Sequence, residues 1–283
     1  MILIADSGSS KTDWAVIDDQ QNVSGLETPG INPYLQNAGE IENSVAGFFA
    51  EELRPRVTAI HFYGAGCIKN ATDKIIIRAF SEIFPDSEIE AEDDLLGAAR
   101  ALFGKNEGIA CILGTGSNSC LYNGTSIVDK VPALGFILGD EGSGSNLGKT
   151  FLNSYFKRLM PDDLAKQVAE ELKPDMRETL HAVYREPFPN RYLAGFSKFI
   201  LKNIDHPFLK EMVYNSIEAF FSKNIERYPE YKNMTVGFTG SVAYYYAAVI
   251  REIALKRGLL TGEIQQKPID GLIRFHTTNT NRK

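Results

Sequence analysis

Two short loops rich in glycine and serine carry the residue types that could bind phosphate groups. The first loop lies in residues 2–12 (ILIADSGSSKT) and the second in residues 109–119 (IACILGTGSNS), and each follows an apolar run. Loops without bulky side chains let backbone N–H groups close around phosphate oxygens, and the hydroxyls between the glycines add donors. A pair of carboxylates, Asp93 and Asp94, lies between the loops. The two loops suggest a nucleotide that is held from both sides.

The segments around both loops repeat one pattern of strand, turn and strand. Residues 1–5 and 109–113 are apolar, residues 6–12 and 114–119 are turns, and residues 14–17 and 120–122 resume a strand. The rest of the chain predicts helices over 41–53, 70–84, 95–102 and 242–256, strands over 57–63, 87–91 and 234–238, and a helical region over 151–228. A hairpin that is used twice and faces itself across a cleft is the plan of the actin-like ATPase and sugar kinase folds.

Composition favours a folded intracellular enzyme. A chain of 283 residues with 43% hydrophobic content can bury two modest cores, so we expect two lobes. The net charge of −6 argues against a nucleic-acid groove, which needs clustered positive charge. No apolar run approaches the roughly 20 residues that cross a bilayer, and no basic leader is visible, so we expect a cytoplasmic protein. The cysteines and histidines are scattered, which gives no support for zinc or a histidine-based triad.

One segment imitates a known phosphate-binding motif. Residues 142–150 (GSGSNLGKT) resemble a P-loop, but Ser143 occupies the position of its first glycine. Asp140 and Glu141 lie just upstream, where they would repel phosphate. We therefore reject a P-loop. The glycines of residues 64–66 also follow a strand, but the third glycine of the dinucleotide fingerprint is absent.

The chain resembles the N-acetylglucosamine kinase and BadF/BadG-type ATPase family of the actin-like, hexokinase-like superfamily. The segments that carry the resemblance occur in family order: DSGSSKT at 6–12, GINPY at 30–34, DLLG at 94–97, GTGSN at 114–118, GDEGS at 139–143, YLAGFSK at 192–198 and GSV at 240–242. The resemblance implies an α/β, two-lobed actin-like ATPase fold (a duplicated ribonuclease H-like fold) with a nucleotide cleft between the lobes. We expect an N-terminal lobe over 1–103, joined by a C-terminal helix over 268–283, and a C-terminal lobe with a helical insertion over 104–267.

The resemblance also implies roles for the two loops and for a third segment. ATP would be bound by residues of all three segments: Gly8, Ser9, Ser10, Lys11, Thr12, Gly114, Thr115, Gly116, Ser117, Gly240, Ser241 and Val242. Asp6 is similar to the carboxylate that holds Mg²⁺ through water. Lys11 would add the positive charge that a phosphoryl transition state needs. Gly240 opens a helix, whose amino terminus favours anions.

Asp94 resembles the family's catalytic base, which takes the proton from the 6-hydroxyl of the sugar as this oxygen attacks the γ-phosphorus. The alternative is a helix-capping aspartate before the helical run over 95–102. The positions that would bind the sugar are Asn32, Gly64, Ala65, Asp94, Gly135 and Asp140. For Asn32 the alternative is a turn residue before Pro33.

The function that the resemblance implies is an ATP-dependent kinase for N-acetylglucosamine or a related amino sugar. Its partner is a small sugar, with no nucleic acid and no membrane, and a homodimer is an open alternative to a monomer. A BadF/BadG-type ATPase that activates a reductase is the second hypothesis, although Cys67, Cys111 and Cys120 do not supply the cysteine pattern of its iron–sulfur cluster. A sugar-sensing module without catalysis is the third.

Overall fold

The computed structural model describes residues 1–8 and 11–280, without the side chains of residues 279 and 280. The chain packs as two compact units. The first unit contains Met1–Asn106, Tyr122–Ile127 and the chain from residue 267 to residue 280, and the second contains Glu107–Leu121 and Val128–Gln266. The predicted division at residues 103 and 104 did not include the short segment Tyr122–Ile127 in the first unit. There the Tyr122 hydroxyl donates to the Gly104 carbonyl oxygen at 3.0 Å.

The first unit is built on a mixed sheet. Its strands, within the described residues, are β1 (Ile2–Ser7), β2 (Lys11–Ile17), β3 (Val23–Pro29), β4 (Ala59–Gly64) and β5 (Glu88–Asp93), in the spatial order β3-β2-β1-β4-β5. Strand β2 pairs with β1 and with β3 in antiparallel fashion, whereas β1, β4 and β5 run parallel. Helices α1 (Ala38–Val45), α2 (Asp73–Ile83) and α3 (Asp94–Phe103) follow in the chain.

The second unit repeats this strand order. Its sheet contains β6 (Glu107–Leu113), β7 (Ser117–Asn123), β8 (Ile127–Asp129), β9 (Thr235–Thr239) and β10 (Leu260–Gln265), in the order β10-β9-β6-β7-β8 over the described chain. The end of β7 and the first residue of β8 belong to the segment Tyr122–Ile127, which packs with the first unit. Counted from its own first strand, each sheet therefore has the order 3-2-1-4-5. Strand β9 runs parallel to β6 and to β10.

Helices form most of the rest of the second unit. They are α4 (Gly135–Leu138), α5 (Gly144–Phe156), α6 (Asp162–Glu171), α7 (Met176–Tyr184), α8 (Pro189–Gly195), α9 (Ser197–Lys202), α10 (Pro207–Lys223), α11 (Ser241–Tyr245) and α12 (Ala247–Lys256), and the last helix of the chain, α13 (Ile269–Thr280), returns to the first unit. None of the helices in the described parts of the chain is long and apolar enough to cross a membrane.

Helix α13 covers one face of the first sheet together with α3. The two helices approach so closely that a methyl group on Gly271 would lie 2.4 Å from the Ala101 carbonyl oxygen. Under them lies a small core cluster made of Ile4, Ala15, Ile17, Tyr63, Ala101 and Leu272. This core joins residues from the beginning and the end of the described chain.

A polar cluster lies beside this core. The rings of His61 and His276 stack with 3.8 Å between their centroids, and His276 Nε2 lies 2.9 Å from the Tyr63 hydroxyl. The Arg100 guanidinium donates to this hydroxyl at 2.7 Å and to Glu90 at 2.9 Å, while His61 Nδ1 lies 2.8 Å from Glu90. These contacts attach α13 and α3 to strands β4 and β5.

Candidate active site

The carboxyl ends of parallel strands β1, β4 and β5 bring Asp6 and Asp94 to the same edge of the first sheet. Asp6 pairs with Tyr63, and Tyr63 pairs with Glu92, two residues before Asp94. The pKa of Asp6 is raised to about 7, chiefly by burial and then by the negative charges of Asp94 and Asp13. Asp6, the predicted magnesium-binding carboxylate, and Asp94, the predicted catalytic base, are therefore electrostatic neighbours.

The N-cap of α3 is Asp93, not Asp94. The Asp93 carboxylate accepts hydrogen bonds from the backbone N–H groups of Leu95 and Leu96 at 2.9 and 3.1 Å. This is the usual role of an aspartate at a helix start, because it satisfies two of the unpaired N–H groups. The capping alternative that the sequence left open for Asp94 thus belongs to its neighbour, and Asp94 is the first helical residue.

The first glycine loop is tied together by buried hydroxyl groups. The Ser7 and Thr12 hydroxyls lie 2.7 Å apart, and Thr12 donates to the Pro29 carbonyl oxygen at 3.1 Å. The Ile31 N–H donates to Ser7 Oγ at 3.0 Å. Thr12 is fully buried and its hydroxyl is engaged in these contacts, so the nucleotide contact that the sequence suggested for it stays a prediction. Gly8, by contrast, is exposed.

Two residues of this loop, Ser9 and Ser10, lie outside the described residues. Their predicted contacts with phosphate stay predictions.

Lys11 lies at the start of β2 within an ion-pair network. Its ammonium group is 2.6 Å from Glu27 Oε2 and 3.4 Å from Asp13 Oδ1, and these partners raise its pKa. The Lys267 ammonium contacts the same Asp13 oxygen at 2.7 Å. Sequence reasoning missed both Asp13 and Lys267. Asp13 had a signal, since it is a charged residue inside a strand next to the loop, whereas nothing in the local sequence marks Lys267.

Asn32 lies against the loop that follows β4. A methyl group on Gly66 would lie 2.3 Å from Asn32 Oδ1, and the positive φ of +78° at Gly66 also favours glycine. The Ala65 N–H donates to the Ser7 carbonyl oxygen at 3.1 Å, which places Gly64 and Ala65 beside the end of β1. Asn32 Oδ1 accepts the N–H two residues later at 3.0 Å, so the predicted turn role is present. The sugar-binding role of these three residues stays a prediction.

In the second unit, the buried Asp140 side chain packs against the second glycine loop. It is 7% exposed, and its Oδ1 accepts the Ser117 N–H at 3.1 Å. A methyl group on Gly116 would lie 3.1 and 3.2 Å from the two carboxylate oxygens of Asp140. Burial raises the pKa of Asp140, although the Ser117 N–H opposes this effect. A larger residue at position 116 would therefore require the Asp140 side chain to shift.

Two other segments hold the same loop. Helix α5 begins beside it, where the N–H groups of Gly144 and Ser145 donate to the carbonyl oxygens of Gly114 and Thr115 at 2.8 and 3.0 Å. A methyl group on Gly240, which has a φ of +113°, would lie 2.3 Å from the carbonyl oxygen of the residue before Gly114. Ser241 and the buried Val242 then open α11. The structure thus brings together three predicted motifs that are far apart in the sequence, at residues 114–118, 139–143 and 240–242.

Gly135 begins α4 with a φ of +71°. The chain returns from this helix to Asp140, whose N–H donates to the Ala133 carbonyl oxygen at 3.3 Å. Gly135 is therefore on the segment that leads directly to Asp140, but its predicted contact with sugar is untested.

Solved structures of other proteins match this chain over nearly its whole length. A provisionally assigned N-acetylglucosamine kinase from Porphyromonas gingivalis is 43% identical and superimposes with a TM-score of 0.94, covering 99% of this chain and 100% of that chain. The chain belongs to the N-acetylglucosamine kinase family. No protein-family model matches it, and no curated protein matches it at the significance threshold.

More distant solved structures share the fold. A second provisionally assigned N-acetylglucosamine kinase, from Chromobacterium violaceum, is 16% identical with a TM-score of 0.73 and covers 97% of this chain and 98% of that chain. A ROK family glucokinase from Streptomyces griseus, solved with glucose and AMPPNP, is 13% identical with a TM-score of 0.55, and 98% of each chain is covered. The predicted two-lobed, actin-like α/β fold is confirmed.

The P-loop-like segment of this family member has another use. Lys149 lies inside α5, and its ammonium group donates to the Phe136 carbonyl oxygen at 2.9 Å. It thus attaches the segment of Gly135 to α5, in agreement with the rejection of a P-loop.

Among the described residues, no three His, Cys, Asp or Glu side chains are grouped closely enough to hold a metal ion by themselves. Magnesium does not need such a cage, because it keeps several waters and uses one or two carboxylates together with substrate phosphates. Asp6 fits this demand. It is a hard oxygen donor, and the nearby charges of Asp94 and Asp13, which raise its pKa, would be offset by a divalent cation.

Proposed function

We propose that this protein is an ATP-dependent kinase that phosphorylates the 6-hydroxyl of N-acetylglucosamine or a related amino sugar. The observation that carries the proposal is the 43% identity with the Porphyromonas gingivalis protein over essentially the whole of both chains. The proximity of Asp6 and Asp94 at one sheet edge supports it, because phosphoryl transfer to an alcohol needs a base beside a centre of phosphate binding.

In this reaction Asp94 accepts the proton of the sugar hydroxyl. As the proton leaves, the hydroxyl oxygen forms a bond to the γ-phosphorus, and the bond between that phosphorus and the β–γ bridging oxygen breaks. ADP departs with the electron pair of the broken bond, and the carboxylic acid of Asp94 later returns its proton to solvent. The cap that Asp93 makes fixes the start of α3 and with it the backbone of Asp94.

The nucleotide would be held mainly by backbone groups of the predicted loops. In the second unit we assign phosphate binding to residues 114–117, which Asp140, α5 and Gly240 support from different sides. Residues 240–242 would contact the adenosine or the α-phosphate. In the first unit the assigned residues are Gly8, the serines that follow it, and Lys11.

Mg²⁺ would be held by Asp6 through water and by phosphate oxygens. When bound, it would neutralise negative charge on the phosphates during transfer. The protein's own contribution at this point is to keep Asp6, Asp13 and Lys11 on one face of the β1–β2 pair. Asp6 and Asp13 are directly paired, and Lys11 lies two residues before Asp13 in β2, which places both on the same side of the strand.

The sugar would be bound by two groups of residues. Asn32, Gly64 and Ala65 are adjacent in the first unit. Gly135 and Asp140 belong to one segment of the second unit. Because Asp140 already accepts one loop N–H, we expect its remaining acceptor capacity to serve sugar hydroxyls.

The test is a panel of hexoses, amino sugars and N-acetylated amino sugars in a coupled assay of ADP release. We expect N-acetylglucosamine or a close relative to give the highest kcat/KM. Asp94→Asn should lower kcat by about 10²- to 10⁴-fold, the usual contribution of a general base, while calorimetry still detects ATP and sugar. Asp86→Asn makes the same chemical change at an exposed turn and serves as the control.

Two results would contradict the proposal. Turnover of Asp94→Asn within about tenfold of the parent would show that Asp94 is not the base. ADP release that does not depend on any sugar would instead favour an ATPase.

A further inference from the structure

Two lysines converge on one carboxylate oxygen next to the first glycine loop. Lys267 Nζ and Lys11 Nζ lie 2.7 and 3.4 Å from Asp13 Oδ1. The lysine side chains are 42% and 43% exposed, whereas Asp13 is only 16% exposed. The Asp13 carboxylate is thus mostly buried, whereas both lysine side chains are partly exposed to solvent.

The two lysines lie beside the loop that is proposed to bind phosphate. Asp13 is paired directly with Asp6 in the antiparallel ladder of β1 and β2, so their side chains lie on the same face of the sheet. Lys11 ends the loop that would contact the β- and γ-phosphates under the proposed function. Lys267 is distant in sequence from this loop but reaches the same carboxylate as Lys11.

We propose that Lys267 is a second phosphate-binding lysine, which Asp13 holds beside Lys11 so that both ammonium groups can contact the terminal phosphates of ATP. This inference rests on the proposed function. Two like charges in such proximity repel each other and need an anion between or in front of them. In the structure Asp13 and Glu27 supply this anion.

The exchange of these carboxylates for phosphate is energetically reasonable. The two lysines are partly exposed, but the Asp13 carboxylate is only 16% exposed, so an ammonium group would leave it at low cost only when another anion takes its place. A triphosphate offers more negative charge and more acceptor oxygens, and charge-assisted hydrogen bonds to phosphate are stronger than ordinary ones. A purely structural alternative is that the ion pair of Lys267 and Asp13 only pins the start of α13.

The experiment compares nucleotide binding with and without phosphates. Calorimetry on the full-length protein would measure the dissociation constants of ATP, ADP, AMP and adenosine for the parent and for Lys267→Met, which keeps the apolar stem and removes the charge. We expect Lys267→Met to weaken ATP binding by roughly tenfold or more, as for loss of a hydrogen bond between charged groups, and to leave adenosine within about twofold. Lys267→Arg should restore most of the ATP affinity.

Lys202→Met is the matched control, because Lys202 is an exposed lysine that also pairs with a carboxylate, Glu171, at 2.8 Å. Lys202→Met should change neither the dissociation constant of ATP nor that of adenosine. Equal weakening of ATP and adenosine by Lys267→Met, together with a lower thermal midpoint, would favour the structural alternative and overturn the inference. Unchanged ATP affinity would overturn it too.

These outcomes separate the two proposals. A parent protein that binds no ATP overturns both. A parent that binds ATP but phosphorylates no sugar overturns the proposed substrate alone, and the ratio of ATP to adenosine affinity still decides the role of Lys267.

Discussion

His276 should make the stability of the first unit depend on pH. Its pKa is lowered to about 3, mainly by burial and next by the charge of His61, with Arg100 acting in the same direction and Glu90 opposing. The unfolded chain binds a proton at this histidine near its ordinary pKa of 6.5, but the folded protein does not until about 3. The stabilisation is therefore fully present above pH 6.5 and is lost as the pH falls from 6.5 towards 3.

The size of the effect follows from the difference in bound protons. Between pH 7.5 and 5.5 the loss from this one residue is roughly 1.4 kcal/mol, and it does not depend on the exact folded value so long as that value is well below 5.5. Asp6 acts in the opposite direction, because its pKa is raised to about 7 and the folded protein binds its proton more readily. The contribution of His276 is therefore isolated by comparing the pH dependence of the unfolding free energy between the parent and His276→Gln.

The assay is urea unfolding followed by tryptophan fluorescence at both pH values. Trp14 is the single tryptophan and is 2% exposed in the first unit, so its emission reports on the unit that contains His276. When the pH is lowered from 7.5 to 5.5, we expect the unfolding free energy of His276→Gln to fall by roughly 1.4 kcal/mol less than that of the parent. The exposed His181→Gln on α7 controls for the general loss of a histidine. Equal losses in the parent and His276→Gln would refute the reasoning.

Three further predictions concern the glycine loops. Lys11→Ala should lower kcat more than it raises the KM for sugar, because the lysine acts mainly in the transition state, and steady-state kinetics with both substrates varied would detect a change confined to KM that speaks against this role. Gly116→Ala forces a methyl group against the carboxylate of Asp140 and should cost roughly 1–3 kcal/mol of unfolding free energy, together with weaker ATP binding in calorimetry. Gly240→Ala places a methyl group against the Leu113 carbonyl oxygen at a residue that also has a positive φ, so its cost in unfolding free energy should be larger, about 3 kcal/mol or more. Urea unfolding that ranks the two variants in the reverse order would contradict this.

The buried strands were predictable because their apolar runs are dense. Strands β1, β4, β6 and β9 coincide within a few residues with the predicted segments. Strands β3, β8 and β10 were missed, since each is an edge strand of its sheet and carries mostly exposed or half-buried residues. Their pairing comes from the neighbouring strand and not from their own hydrophobicity.

Two predicted helices were wrong in extent. The helix expected over 41–53 is α-helical only to Val45, after which a short 3-10 turn contains Gly47. The helix expected over 242–256 is interrupted at Tyr246, between α11 and α12. Apolar spacing alone continued through both breaks because it does not register a change in backbone geometry.

The candidate site was predictable where its residues lie in compact motifs. The two glycine loops and Asp94 are such motifs, although the sequence could not decide which of two adjacent aspartates caps α3. Asp13 and Lys267 are 254 positions apart, and only the folded chain shows that they touch. The same limit applies to Gly240, whose contact with the second loop depends on the pairing of β6 and β9.

Helix α13 sets the order in which the protein can mature during translation. Ile4, Ala15 and Tyr63 leave the ribosome early, but Leu272, which completes their core, emerges only after the whole second unit has been made. Until then the part of this face that α3 does not cover stays exposed, and exposed apolar surface of this kind attracts chaperones and aggregation. A chain that stops before residue 267 should therefore be recognised as incomplete by the cell's quality control, even with its second unit folded.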